Sequence, residues 1–159
     1  MFLYHGSNVK VERPLLLKNQ RELDFGKGFY TTSDLEQASR WAKRTALRLQ
    51  QKDAIVSVYE MSDKPLDMLR ILKFDAPDGD WLQFVVQNRK GILVLNEWDL
   101  VIGPVANDQT ASVIDLYVDG IFDENDAIKR LLPQKLKDQY VLKTEPSLNA
   151  IRFLEVKRP

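Results

Sequence analysis

Apolar and polar positions change period several times along the chain, and each change marks an element. Phe2-Leu3-Tyr4 reads as a short strand running into His5-Gly6-Ser7, a turn-like end. Val9 to Asp24, mixed in polarity and holding Pro14, reads as a loop with room for one turn of helix. Phe25-Gly26-Lys27-Gly28-Phe29-Tyr30-Thr31-Thr32 then sets two glycines ahead of an aromatic and β-branched run. Ser33-x-x-Glu36 has the form of a capping box, so a helix is expected to start there. Ala38, Trp41, Ala42, Thr45 and Leu49 recur at helical spacing and carry that helix to about Gln51. Ala54 to Met61 reads as a strand, Lys64-Pro65 as a break, and Leu66 to Phe74 as a further strand. Asp78-Gly79-Asp80 caps a helix carrying Trp81, Phe84, Val85 and Asn88 and ending near Gly91. Leu100 to Val105 is a strand interrupted by Gly103-Pro104. Helices are expected over Thr110–Val118 and Glu124–Leu132, and strands over Gln139–Thr144 and Ile151–Val156, flanking a turn at Pro146.

This order lacks regular strand-helix-strand alternation, which predicts an α+β domain over a doubly wound parallel sheet. No repeat, low-complexity tract or linker divides the chain, so residues 1–159 are expected to form one domain. No Rossmann G-x-G-x-x-G lies between a strand and a helix, so a dinucleotide would not be held by that fold.

Composition narrows the chemistry. The chain is 44% hydrophobic and 29% charged, ordinary for a soluble globular protein, and no apolar run approaches the roughly 20 residues of a membrane span. The first residues lack the basic segment and apolar core of a secretion signal, and cysteine is absent, so a cytoplasmic location without membrane association is expected. Without cysteine there is no disulfide, thiolate metal site or thiol nucleophile. Lys plus Arg equals Asp plus Glu at 23 each, so overall charge gives no sign of generic nucleic-acid binding. Lys43, Arg44 and Arg48 form a mild basic cluster, either a solvated helix face or a local patch. With one histidine, no HExxH and no G-x-S-x-G, no metal site or serine triad is expected.

His5 stands beside Gly6, whose bare backbone lets a ligand approach the main-chain N–H and C=O that a planar carboxamide needs. It serves equally to close a turn. Gly26, Gly28 and Tyr30 suit either a glycine bulge entering a strand or a ring-stacking face next to a ligand. Trp41, eleven residues beyond Tyr30, is the largest residue on the core stripe of its helix or a second stacking ring. Asn107-Asp108 lies in a loop from which polar side chains reach a cleft, or else Asp108 is the N-cap of the helix starting near Thr110.

Together these segments resemble the NAD site of the ADP-ribosyltransferase superfamily. They look closest to its poly(ADP-ribose) polymerase-like branch, whose signature is His, Tyr and Glu on three successive elements. Within that clan the chain is similar to a bacterial domain family of uncharacterised function, some of whose members are found beside antitoxin-like genes. The similarity extends over Asp80-Trp81-Leu82-x-Phe84 with Asn88-Arg89, Gly103 to Asp108, and Gln139 to Phe153.

The resemblance implies split antiparallel and mixed sheets with flanking helices. It also implies that NAD is a co-substrate, without a metal. His5 would hydrogen-bond the adenosine-side ribose and Gly6 would hold the nicotinamide carboxamide, with Ser7 and Gly28 nearby. Tyr30 and Trp41 would sandwich the nicotinamide ring, and Asn107 and Asp108 would lie at the site. The chain departs from the signature at its third position, where Gln139 stands in place of the catalytic glutamate. An amide still hydrogen-bonds a ribose hydroxyl but offers no full negative charge to a developing cation. Asp108 and Glu145 are the candidate replacement carboxylates. The expected activity is mono-ADP-ribosyl transfer to a protein, nucleic acid or small molecule, in a toxin restrained by an antitoxin protein. The alternatives are NAD hydrolysis or a non-catalytic NAD- or ADP-ribose-binding module. A third class, an interaction protein docking through Ile114, Leu116, Tyr117 and Val118, competes with simple burial of that run.

Overall fold

Residues 1–20, 23–92 and 97–159 are described by a computed structural model. The loop expected over Val9–Asp24 contains residues 21 and 22, which lie outside the described residues. The described strands are β1 (Phe2–Ser7), β2 (Phe29–Thr31), β3 (Ile55–Met61), β4 (Ile71–Lys73), β5 (Leu100–Pro104), β6 (Asp138–Leu142) and β7 (Ile151–Lys157). The described α-helices are α1 (Leu35–Arg48), α2 (Gly79–Arg89), α3 (Asp108–Val118), α4 (Glu124–Leu131) and α5 (Glu145–Leu148). The class is α+β, as the order of elements predicts.

The strands form two sheets. One has the antiparallel order β1-β3-β7, and the other is mixed, in the order β2-β6-β5-β4, with only β4 and β5 parallel. The central strand β3 is buried along Ile55–Tyr59, which explains its nearly unbroken apolar run. Among the described residues the backbones of the two sheets are joined at one isolated bridge. Tyr4 N–H donates to the Thr32 carbonyl at 2.8 Å and Thr32 N–H returns to Tyr4 at 3.0 Å. Beyond that pair β1 and β2 part company.

Helix α1 lies unusually close to β1. It buries only Ala38, Ala42 and Ala46, and a Cβ added to Gly6 would sit 2.1 Å from the Ala38 carbonyl oxygen. Small residues on both sides let the helix backbone rest on the strand. On the other side, α2, α3 and α4 cover the mixed sheet around Trp81, whose Nε1 donates to the Pro104 carbonyl at 3.0 Å.

Several local expectations are corrected. β1 continues through His5-Gly6-Ser7, paired with Ser57, Val56 and Ile55, so this triplet is strand and not a turn. The cap of α1 is Asp34, which accepts from Gln37 N–H at 2.7 Å, because Ser33 is engaged by the Asp138 carboxylate. The strand expected over Leu66–Phe74 divides into a 3-10 turn at Lys64–Met68, which Pro65 starts, and the short β4. The turn at Pro146 is a one-turn helix, closed by a Thr144–Ser147 capping box with the proline in its first turn. Asp78 caps α2 as expected, accepting from Trp81 N–H at 3.0 Å.

Asp99, at the start of β5, accepts from the Arg70 main chain and guanidinium and from Thr144. These bonds, the Arg70 side chain first, hold its pKa down at about 2. The cluster staples β4, β5 and the β6–α5 turn at the end of the mixed sheet.

Candidate functional site

The separation of β1 from β2 opens a cleft of about 330 Å³. Strand β1 contributes His5 and Gly6, β2 contributes Tyr30, and β6 contributes Gln139. Helix α1 adds Trp41, Arg44 and Thr45, and the preceding loop adds Leu23 and Asp24. A second lobe of about 470 Å³ shares His5, Gly6, Leu23, Tyr30 and Thr45 and continues past Ser7, Gly28, Arg13 and Arg48.

Strand geometry explains what Gly6 offers. Along an antiparallel strand, main-chain groups alternate between the two edges. Tyr4 directs its N–H and C=O at Thr32, so Gly6, two residues on, directs its own at the same edge. A continued ladder would set Tyr30 opposite Gly6, but the Tyr30 carbonyl is bonded to His5 Nδ1 at 2.7 Å instead. Gly6 is thus left facing the cleft, with no partner for its N–H or C=O on that edge among the described residues. The absence of its side chain has another cause, the close approach of α1.

A carbonyl only accepts, so the bond to Tyr30 places a proton on His5 Nδ1. The ring lies tilted against Phe29, with centroids 4.4 Å apart, and lines the cleft. Desolvation by burial holds its pKa below the ordinary histidine value, partly opposed by the Tyr30 hydrogen bond. The imidazole is therefore neutral at pH 7, and its Nε2 is an acceptor.

Tyr30 is fixed by both ends of its hydroxyl, which donates to the Gly26 carbonyl at 2.5 Å and accepts from Phe25 N–H at 3.1 Å. Burial raises its pKa strongly, so the hydroxyl stays protonated and only the ring is available to a ligand. Gly26 makes this loop possible with a φ of 78°, a left-handed conformation. Lys143 Nζ donates to the Phe25 and Lys27 carbonyls, and the Gln20 amide bonds both the N–H and C=O of Gly28. Gly28 lines the second lobe, yet its main chain is already engaged. Ser7 lies in the same lobe and donates to Asn8.

Gln139 sits across β6 from Gly103, and the β2–β6 register extends to place it opposite Thr32, beside the bridge between the sheets. The residue is only 4% exposed, and its Nε2 has no hydrogen-bond partner among the described residues. A buried, unpaired amide costs on the order of 1–3 kcal/mol. Gln139 lines the cleft, and its buried Nε2 calls for a partner that the described residues do not supply.

The chain matches, over residues 1–153, the family model described as "Protein of unknown function (DUF3990)". It belongs to that family. No curated protein and no solved structure matches the chain. The span matched by the DUF3990 model includes every residue of the cleft, from His5 to Gln139.

The structure therefore brings His5, Gly6, Tyr30, Trp41 and Gln139 to one cleft, and Ser7 and Gly28 to its second lobe. Asn107 and Asp108 are elsewhere. They line an adjoining polar recess with Gln37 and Arg40, which meets the cleft only through Trp41 and Arg44. Asn107 is the N-cap of α3, accepting from Thr110 N–H at 2.9 Å, and the exposed Asp108 pairs with Arg44 at 3.6 Å. Glu145 is exposed in the first turn of α5 and lines neither lobe. Neither candidate carboxylate lines the main cleft, because a helix start and a distant turn carry them away. The carboxylate that does line it is Asp24, which sequence reasoning passed over as loop. In the sequence Arg44 shows only as part of a mild basic cluster, and Thr45 only as a residue of the helix stripe. Their one legible signal is a position three and four residues after Trp41, on the same face of α1.

Among the described residues no group of three or more histidine or carboxylate side chains is placed to hold a metal ion. No described helix is long and apolar enough to cross a membrane. Ile114 is fully buried within the α2–α4 core, with Tyr117 packed against it, so burial accounts for the centre of the apolar run on α3. Val118, at its end, is exposed.

Proposed function

We propose that this protein is an NAD-consuming ADP-ribosyltransferase, with NAD lying across the two lobes of the cleft. The observation that carries the reading is the buried, unpaired Gln139 amide beside the unpaired main-chain edge of Gly6. These are the polar groups that a sugar hydroxyl and a planar carboxamide would complete. The division of the fold at the Tyr4–Thr32 bridge fits the split sheets of that superfamily.

In this reading Gly6 N–H donates to the carboxamide oxygen of nicotinamide, and Gly6 C=O accepts from its NH₂. Tyr30 and Trp41 flank the ring. The neutral His5 accepts a hydrogen bond at Nε2 from a hydroxyl of the adenosine-side ribose, and the Gln139 amide holds a hydroxyl of the nicotinamide ribose. Fixing the base and both sugars orients the glycosidic bond for departure of nicotinamide. The acceptor is a protein, a nucleic acid or a small molecule, and an antitoxin protein restraining the activity is part of the same proposal.

The test is incubation of the purified protein with NAD, with binding followed by calorimetry and nicotinamide release by chromatography. The expected result is binding and release, both lost in Trp41→Ala and Tyr30→Ala. No binding at millimolar NAD refutes the reading. Gln139 in the glutamate position favours one rival, a module that binds NAD without turning it over. Binding with no release over hours, even with candidate acceptors present, establishes that rival.

A further inference from the structure

Nicotinamide departure leaves positive charge on the ribosyl carbon, and Gln139, being neutral, does not answer it. We propose that Asp24 supplies the carboxylate of this site, in place of the residue that Gln139 replaces. The inference rests on the NAD-consuming reading above.

Asp24 is the carboxylate that lines the cleft holding Tyr30, Trp41 and Gln139. It comes from the loop ahead of β2, two residues before Gly26, whose carbonyl takes the Tyr30 hydroxyl. The loop that fixes the Tyr30 hydroxyl thus also brings Asp24 to the cleft lining. The negative charge of Asp24 also contributes to the raised pKa of Tyr30, which places the two groups within electrostatic reach.

The side chain is positioned by Arg89, in the last turn of α2. Its guanidinium forks onto Asp24, with Nε to Oδ1 at 2.7 Å and Nη2 to Oδ2 at 3.4 Å. A lone Asp–Arg pair would present little net charge to a ligand. Here Arg89 also pairs with Asp115 of α3 at 3.4 Å. One cation is shared between two carboxylates, so the cluster carries a net charge of about −1 at neutral pH. Asp24 is the member of that cluster lining the cleft, while Asp115 is largely exposed on the far side of Arg89. The fork from Arg89 fixes the orientation of the carboxylate, and Asp115 takes part of the Arg89 charge.

The chemistry balances without a further reactant. The glycosidic C–N bond breaks, and its electron pair returns to the pyridine nitrogen, releasing neutral nicotinamide. An oxygen lone pair of the acceptor, or of water, forms the new bond to the ribosyl carbon. The proton of that oxygen passes to the Asp24 carboxylate. Asp24 therefore faces the cation as it forms and receives the proton afterwards, a role that the amide of Gln139 does not fill.

The experiment compares wild type, Asp24→Asn and Asp24→Glu by NAD calorimetry and by the rate of nicotinamide release. Preorganised charge and proton acceptance are each worth on the order of 10²-fold or more. Asp24→Asn is expected to lose at least about 100-fold in kcat while its Kd for NAD stays within about threefold. Asp24→Glu, one methylene longer, is expected to recover at least about a tenth of the wild-type rate, an estimate for a carboxylate of imperfect reach. Wild-type turnover with an unaffected Asp24→Asn variant overturns the role of Asp24 and leaves the proposed function intact. Absence of NAD binding to wild type overturns both. If Asp24→Asn fails to fold, the Glu variant decides. A folded Asp24→Glu protein that binds NAD but shows no release at all refutes the carboxylate role.

Discussion

Replacing Gln139 with methionine should make the unliganded protein more stable and its ligand-bound form less so. The side chain is 4% exposed on β6, and its Nε2 has no partner among the described residues, so the folded state leaves an amide donor desolvated. Removing that donor recovers on the order of 1–3 kcal/mol. Methionine matches glutamine in length and flexibility, and the imperfect fit costs less than about 1.5 kcal/mol. The difference predicts a net gain of about 1 kcal/mol. For a domain of this size that shift corresponds to about 2–4 °C in Tm. Urea unfolding with linear extrapolation measures it directly, provided the m-value stays constant. The same variant is expected to lose most of the thermal stabilisation that saturating NAD gives wild type, because the ligand no longer completes an unpaired group. A Gln139→Met protein destabilised by 1 kcal/mol or more would mean that the amide is already satisfied in the unliganded fold. The reasoning that makes it a ligand donor would then collapse.

Two further outcomes follow from the same geometry. Gly6→Ala places a methyl group 2.1 Å from the Ala38 carbonyl oxygen and 2.8 Å from Ala42 N, both helix backbone that does not rotate away. It should cost about 3 kcal/mol, the upper part of the overpacking range, and displace α1 and Trp41; a change under 1 kcal/mol in denaturant unfolding refutes the close approach. The lowered pKa of His5 means that the unfolded chain takes up its proton first as pH falls, so folding stability declines below about pH 6.5. The decline, at most about 1.4 kcal/mol per pH unit, should appear as pH falls below about 6.5 and flatten in His5→Gln. An unchanged slope in that variant assigns the effect to other groups.

Much of the framework is legible in local sequence. The start of α2 follows from Asp78, since a cap acts within three residues, whereas α3 is capped by Asn107 and begins at Asp108, the residue expected as its cap. The buried β3 is plain from its apolar run, and His5, Tyr30, Trp41 and Gln139, which stand out in the sequence, line one cleft. Where a partner lies far along the chain, local reading fails. Ser33 looks like the cap of α1 until Asp138, 105 residues away, engages it and leaves the role to Asp34. His5-Gly6-Ser7 looks like a turn until β3 pairs with it. Asp24 looks like one more loop residue, because nothing within a few positions announces Arg89 or the cleft wall. Propensity, capping and periodicity act over one or two turns of chain, and so they are written into adjacent residues. The unpaired edge of Gly6, the orphaned Gln139 amide and the charge at Asp24 depend on how far two sheets and α1 approach, which the packing of the whole core sets.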